Sequence, residues 1–396
     1  PPCAPRPCLA HALSAGTRRS SRASARGQRL SASAALRSQP VSSPDRHDSS
    51  RVPLCRDSHV RRSVLTTSMH HPDHVTRVAT ALEHTDHQRH GMQRRAVAAK
   101  FRSGAWQRVG RNGCVEASTW QRWYAQDRHL ASVLVAHRES HGHSPPVFSH
   151  VSAAVLLGLP LWGFRNDAVH VIATTSHARS RTLIRHQLPL DERDIVEVDG
   201  MRCTGPDRTL IDLAATESEE LLVAYADAHL RSQARSERTV DAAACSAWRE
   251  HLRSHTRNAP GARGVRRLRR VIEFADGRAD SPLESISRLH FDRLGIEVEP
   301  QFAVPAPGGG RYFVDFRLVG LGVLGECDGA QKYLDPRMLG ERSPGEAVLR
   351  EKRRDDWITG SSGSRMIHWG HRDTSTTEHF AAMLRAFGVP LPLRHR

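Results

Sequence analysis

No run of 18 or more consecutive apolar residues occurs in this chain, which excludes a transmembrane helix and any membrane partner of that kind. Aromatic residues are scarce at 5%, and the hydrophobic share of 38% is low, so part of the chain does not contribute to a core. The seven cysteines (Cys3, Cys8, Cys55, Cys114, Cys203, Cys245 and Cys327) are scattered and include no CxxC pair. That pattern excludes a disulfide scaffold and a zinc-finger framework and points to a reducing cytoplasm. What is present is length, 396 residues, enough for two or three domains.

Basic residues are plentiful but uneven. Residues 1–68 hold twelve Arg against Asp45, Asp48 and Asp57, which accounts for +9 of the chain's +16 and leaves +7 for the rest. This stretch has fourteen Ser, no Lys and no hydrophobic periodicity, and the first methionine is Met69. It cannot bury enough surface to offset the entropy of ordering. Three readings fit it: an Arg/Ser-rich transit peptide, a disordered basic arm on nucleic acid, or upstream sequence read from a start codon placed too early. The last is the reading preferred on composition. The +7 that remains still favours a nucleic-acid partner.

Residues 69–135 read as a DNA-binding head. His74 to Leu82 carries Val75, Val78, Ala79 and Leu82 at helical spacing. Gly91 to Lys100 reads as a second helix, with Met92, Ala96 and Ala99 inward and Arg94, Arg95 and Lys100 outward. Strands follow at 104–109 and beyond the Gly110–Gly113 turn. Helix, basic helix and hairpin outline a winged helix-turn-helix, which would place Arg94, Arg95, Lys100 and Arg108 at DNA. An amphipathic helix with a solvated Arg face is the plainer reading. His84, His87 and His90 recur every three residues without Cys or carboxylate support and read as solvated.

Residues 145–250 read as an α/β middle domain. Ser149 is placed to cap a buried helix running to Pro160, so Ser149-His150 reads as a cap rather than half of a hydrolase dyad. Strands are expected at 168–173 and 182–187, with a hairpin turning at Asp199-Gly200. Helices then start near Pro206 and Leu221.

Residues 259–396 hold the candidate chemistry. Arg263 to Ala275 is an amphipathic helix whose arginines face a phosphate or, in the preferred reading, solvent. A helix at Ser281-Pro282-Leu283-Glu284, strands at 298–304, 311–318 and 323–328, a helix at 345–359 and a strand at 366–369 give the order α-β-β-β-α-β. A turn at Gly320-Leu321 sets Asp315 opposite Glu326, and alternation puts Glu326 and Asp328 on one face. Val314 and Phe316 are expected to point together to the other face. Three acids so placed suit a hard divalent cation such as Mg²⁺, which polarises a phosphodiester and activates water. Simpler readings also exist: Ser281-x-x-Glu284 is a capping box, and Glu346, Arg350 and Arg354 lie four apart as surface pairs.

Family resemblances sharpen these readings. The run from Met92 through Trp106-Gln107-Arg108-Val109 to Gly113 resembles the winged helix of AbiEi-family antitoxins, though Arg111-Asn112-Gly113-Cys114-Val115 matches the usual Arg-Gly-Val-Tyr ending loosely. Ser149-His150, Ser152-Ala153-Ala154 and Thr204, Arg208-Thr209-Leu210, Asp212-Leu213 are similar to the middle domain of actinobacterial AbiEi-type proteins. Ser281-Pro282, Glu284, Val314-Asp315-Phe316, Gly325-Glu326-Cys327-Asp328-Gly329, Lys332-Tyr333 and Glu351-Lys352-Arg353-Arg354-Asp355 resemble a nuclease-like domain related to very-short-patch-repair (Vsr-like, PD-(D/E)XK) endonucleases.

The resemblance implies that Asp315 and Glu326, with Asp328, bind metal, that Glu284 supports the site, and that Lys332 stands where relatives often carry His and would stabilise charge on the phosphate. Asp328 stands where the PD-(D/E)XK element has Lys. Arg353 and Arg354 are expected at nucleic acid, with Arg354 and Asp355 facing the site. The expected whole is an α+β multidomain, cytoplasmic, DNA-binding protein with a Mg²⁺-dependent endodeoxyribonuclease domain. Its alternative is a non-enzymatic AbiEi-type antitoxin or transcriptional repressor with an inactive nuclease fold and a cognate nucleotidyltransferase toxin gene or promoter as partner. A weaker third is an RNA- or protein-binding module.

Overall fold

The structure, a computed structural model, describes residues 72–86, 91–140, 145–165, 168–173, 178–236, 238–328 and 344–391. The segment 1–68, His87, His90, Gly329, Lys332 and Tyr333 lie outside the described residues. No helix among the described residues is long and apolar enough to cross a membrane.

Helix α1 (Pro72–His84) precedes α2 (Arg94–Arg102), a hairpin of β1 (Trp106–Val109) and β2 (Gly113–Glu116), α3 (Ala117–Arg122) and α4 (Ala125–Glu139). The hairpin register runs from Trp106↔Glu116 to Val109↔Gly113. Gly113 is needed there because a Cβ would meet Val135 of α4 at 2.3 Å. Helix α2 is rotated from the expected face: Ala96 and Ala99 are exposed, and Val97, Ala98 and Phe101 are half-buried. Phe101 sets this orientation by packing edge-on against Trp106 at 6.1 Å, a contact small alanines cannot compete with.

A six-stranded mixed sheet follows in the order β5-β6-β4-β3-β8-β7. Its strands are β3 (Val147–Phe148), β4 (Val169–Ile172), β5 (Ala178–Arg179), β6 (Leu183–His186), β7 (Ile195–Val198) and β8 (Met201–Thr204), with α5 (His150–Leu156) after β3. Asp199 and Gly200, at φ +48° and +76°, make the two-residue turn between β7 and β8, as their sequence predicts. Helices α6 (Pro206–Ala214) and α7 (Glu219–Ala234) follow, then a short hairpin of β9 (Arg235–Ser236) and β10 (Thr239–Val240) and helices α8 (Ala242–Asn258) and α9 (Val265–Phe274). Helices α4 and α5 lie on the sheet, α6 packs on α5, and α6 to α9 pack on one another. One hydrophobic cluster runs from Val75 of α1 to Leu289, so head and sheet share a core.

The basic stripe of α9 is largely committed within the protein. Arg267 donates to the Glu217 carbonyl, Arg269 to the Thr256 carbonyl, and Arg270 pairs with Glu219. Arg263 and Arg266 remain exposed.

The C-terminal part is α10 (Pro282–Leu294), β11 (Val298–Pro305), β12 (Arg311–Leu318), β13 (Val323–Asp328), α11 (Pro344–Ser362), β14 (Arg365–Gly370) and α12 (Thr377–Ala386). The first three strands are antiparallel neighbours, and β14 pairs parallel with β13 after the α11 crossover. The chain is therefore a mixed α+β protein.

Apolar clusters cover both faces of this sheet. Phe316, Val323, Cys327 and Trp369 pack with α10 and α12, while Val314, Leu324 and Ile358 form the cluster on the α11 side. Val314 and Phe316 thus lie on different faces, contrary to strict alternation. The β11–β12 ladder is interrupted between Pro300↔Phe316 and Phe302↔Val314, where Gln301 takes φ +54°. The ribbon turns over at that point, and Asp315 sits on the turn.

Candidate functional site

The carboxylates gather where β12, β13, β14, α10 and α11 meet. The β12–β13 register, Phe316↔Gly325 to Leu318↔Val323, places Asp315 next to Glu326 on the adjoining strand. Asp315 Oδ2 accepts the backbone N–H of Cys327 at 2.8 Å. Glu326 is buried, and its Oε1 lies 2.6 Å from Arg354 of α11, which also donates to the Phe313 carbonyl at 2.6 Å. Arg354 therefore faces the carboxylate cluster rather than joining Glu346 and Arg350 in a row of surface pairs. Arg353 next to it is exposed.

Asp328 Oδ2 meets His368 Nδ1 at 3.0 Å, and His368 Nε2 meets Asp355 Oδ2 at 3.0 Å. The Asp328 bond, helped by the charges of Asp355 and Glu326 against partial burial, raises the imidazole to about 9. It is held as imidazolium near neutral pH. Asp328 Oδ1 is buried with no hydrogen-bond partner among the described residues.

Glu284 enters from α10. Ser281 caps that helix by accepting the Glu284 N–H at 3.2 Å, while the Glu284 carboxylate accepts from Asp280 N, Ser281 Oγ and Gln301 Nε2 at 2.9–3.0 Å. The capping box is thus present only on the serine side, since the glutamate reaches the amide before the cap. Burial, reinforced by the Asp315 charge, pushes Glu284 up to about 7.

Among the described residues, Asp315, Glu326 and Asp328 do not form a group with donor atoms all within 4.8 Å of one another. Arg354 holds Glu326, and His368 holds Asp328. Sequence reasoning missed His368 and the depth of Arg354's engagement. The Glu326↔His368 register between β13 and β14 depends on a parallel pairing that no short-range pattern marks.

In the head, Arg94, Arg95, Lys100 and Arg108 are all exposed. Arg108 lies over the Phe101 ring, 4.6 Å from its centroid, which holds the guanidinium against the base of α2.

A second constellation was not expected from the sequence: His150, His170 and His186, each offering a ring nitrogen within 4.8 Å of the others. Ser149 occupies the cap position of α5, but its hydroxyl makes no capping bond and meets His150 Nδ1 at 3.0 Å. Burial, with His186 and His170 adding to it, pushes His150 down to about 2. Spacings of 20 and 16 residues carry no motif, so only the fold brings these rings together.

Comparison with known proteins gives little more. No family model and no solved structure matches the chain. Two uncharacterized proteins of Mycobacterium tuberculosis, MT2308 from strain CDC 1551 / Oshkosh and Rv2248 from strain H37Rv, are each 26% identical over 191 residues. The match covers 47% of this chain and 66% of each relative, just short of two thirds of their length.

Proposed function

We propose that the chain is a DNA-binding protein whose C-terminal part is a PD-(D/E)XK-type, metal-dependent endodeoxyribonuclease. The observation that carries this is the placement of Asp315 beside Glu326 on paired strands of an α-β-β-β-α-β unit, with Arg354 and Asp355 closing from the crossover helix. Asp315, Glu326 and Asp328 offer the oxygen donors a hard cation such as Mg²⁺ takes, and Asp328 Oδ1 is a buried acceptor without a partner among the described residues. Binding would draw the three together and loosen the Arg354 and His368 pairings. When bound, the ion would polarise a phosphodiester and activate water.

The chain's own residues do the rest. Arg354 offers a guanidinium at the carboxylate cluster, suited to a bridging phosphate. Glu284, with a pKa near neutrality, can take or return a proton. Lys332, outside the described residues, is the residue that the family resemblance would make the source of a second cation. The head contributes DNA affinity through Arg94, Arg95, Lys100 and Arg108 on a winged helix-turn-helix-like helix and hairpin, where phosphate contacts dominate.

One observation favours a second reading. Glu326 and Asp328 are already neutralised from within, by Arg354 and His368. A nuclease fold satisfied in this way suits an AbiEi-like repressor or antitoxin that binds DNA, or the promoter of a toxin gene, without cutting it. Plasmid and single-strand cleavage by protein starting at Met69, with Mg²⁺, Mn²⁺ or EDTA, separates the two. The nuclease reading expects metal-dependent cutting lost in Asp315→Ala and Glu326→Ala; binding without cutting in wild type and both variants supports the repressor.

A further inference from the structure

We propose that His150, His170 and His186 form a binding site for a divalent transition-metal ion of the zinc type, separate from the carboxylate cluster. Three elements supply the donors: His150 at the β3–α5 junction, His170 in β4 and His186 at the end of β6. One ring nitrogen from each lies within 4.8 Å of the other two. His170 Nδ1 and His186 Nε2 are 3.0 Å apart, while the rings of His150 and His186 stack at 3.9 Å with 18° between their planes, so one of those two rings turns about its side-chain torsions to aim its in-plane lone pair at a shared ion.

An ion held at about 2.0–2.1 Å from each imidazole nitrogen spaces tetrahedral donors roughly 3.4 Å apart. The His170–His186 pair is already near that spacing, and the widest separation closes by at most about 1.4 Å. Three imidazoles with no carboxylate or thiolate among them select zinc-like ions over Mg²⁺.

Two further features fit a ligand role. Ser149 Oγ meets His150 Nδ1 at 3.0 Å, which leaves Nε2 as the coordinating atom and supplies the orienting bond that metal-bound histidines carry on their other nitrogen. His150 also takes φ +51°, a left-handed backbone that an L-residue with a Cβ adopts only where surrounding structure imposes it. The fold thus holds a costly backbone where it aims this ring at the other two. Three protein donors leave one coordination position for water or a further ligand.

The test uses untagged full-length chain, stripped with chelator and dialysed, then titrated with Zn²⁺ against a chromophoric competitor and with Co²⁺ for its visible ligand-field bands. One equivalent of Zn²⁺ per chain is expected. His170→Ala and His186→Ala each weaken binding by at least about 100-fold and remove the Co²⁺ bands, while circular dichroism is retained. Asp315→Ala/Glu326→Ala leaves the Zn²⁺ stoichiometry unchanged. Where His170→Ala fails to fold, His186→Gln at the half-buried end of β6 carries the same test. No stoichiometric binding by wild type, or unchanged Co²⁺ bands in the His170→Ala/His186→Ala double variant, overturns the proposal and leaves a hydrogen-bonded imidazole stack.

Discussion

Asp127 is a buried carboxylate that ties α1 to α4, with His74 Nε2 at 2.9 Å and Arg77 at 2.6 Å. Burial by itself raises its pKa, but the His74 bond, the Arg77 charge and the Tyr124 N–H together hold it below the usual carboxylate range. A carboxyl whose pKa falls on folding stabilises the fold above its unfolded value and loses that contribution as pH drops through the lowered value. Asp127→Asn is therefore expected to cost about 1–2 kcal/mol near neutral pH. The gap from wild type should narrow in acid. Thermal melts of both proteins across pH 7 to 3 check this, and a gap independent of pH contradicts it. None of this was legible in the sequence, where Asp127 lies 50 residues from Arg77 and in no motif.

At the scale of elements, the C-terminal strands were the most legible part. Their apolar runs and the turn near Gly320 fix the β12–β13 register, and the structure has it. The turnover at Gln301 was not legible, because a non-glycine residue at positive φ leaves no compositional mark. Helices α4, α8 and α12 were also missed. In α8 the inward positions Cys245, Trp248, Leu252 and Thr256 keep helical spacing, but only Trp248 and Leu252 are large and apolar among the surrounding Arg, Ser and His.

Gly325 of β13 has a reason that only packing reveals. A Cβ there would stand 2.4 Å from the Trp369 ring of β14. Gly325→Ala should cost about 1–3 kcal/mol by overpacking, read as a lower denaturant midpoint at unchanged slope. Combining it with Trp369→Phe should recover part of the loss. No recovery would mean that Trp369 is not the obstruction.

Across the whole molecule, the sheet part and the C-terminal part are joined by buried charge. Arg288 of α10 binds Asp227 of α7 through two hydrogen bonds of 2.8 and 3.0 Å and also donates to the Phe274 carbonyl. Asp280 gathers Arg235 and Arg238 at 2.5 and 2.9 Å, and Arg231 donates to its backbone carbonyl. Several of the arginines that suggest nucleic acid in the sequence are therefore paired within the protein. Arg288→Ala strands a fully buried carboxylate and is expected to cost about 3–5 kcal/mol. Arg288→Ala/Asp227→Ala should be markedly less damaged than the single variant, measured by the same unfolding curves. Equal damage would show that the pair is not coupled.

The central claim is that a hard cation sits between Asp315 and Glu326, and the most direct measurement is where a bound metal cuts the chain. Fe²⁺ with ascorbate and peroxide should cleave the backbone around residues 315 and 326. Excess Mg²⁺ should suppress these cuts, and Asp315→Asn should lack them. Cuts confined to the neighbourhood of His150, His170 and His186, or none that Mg²⁺ suppresses, would contradict the nuclease account.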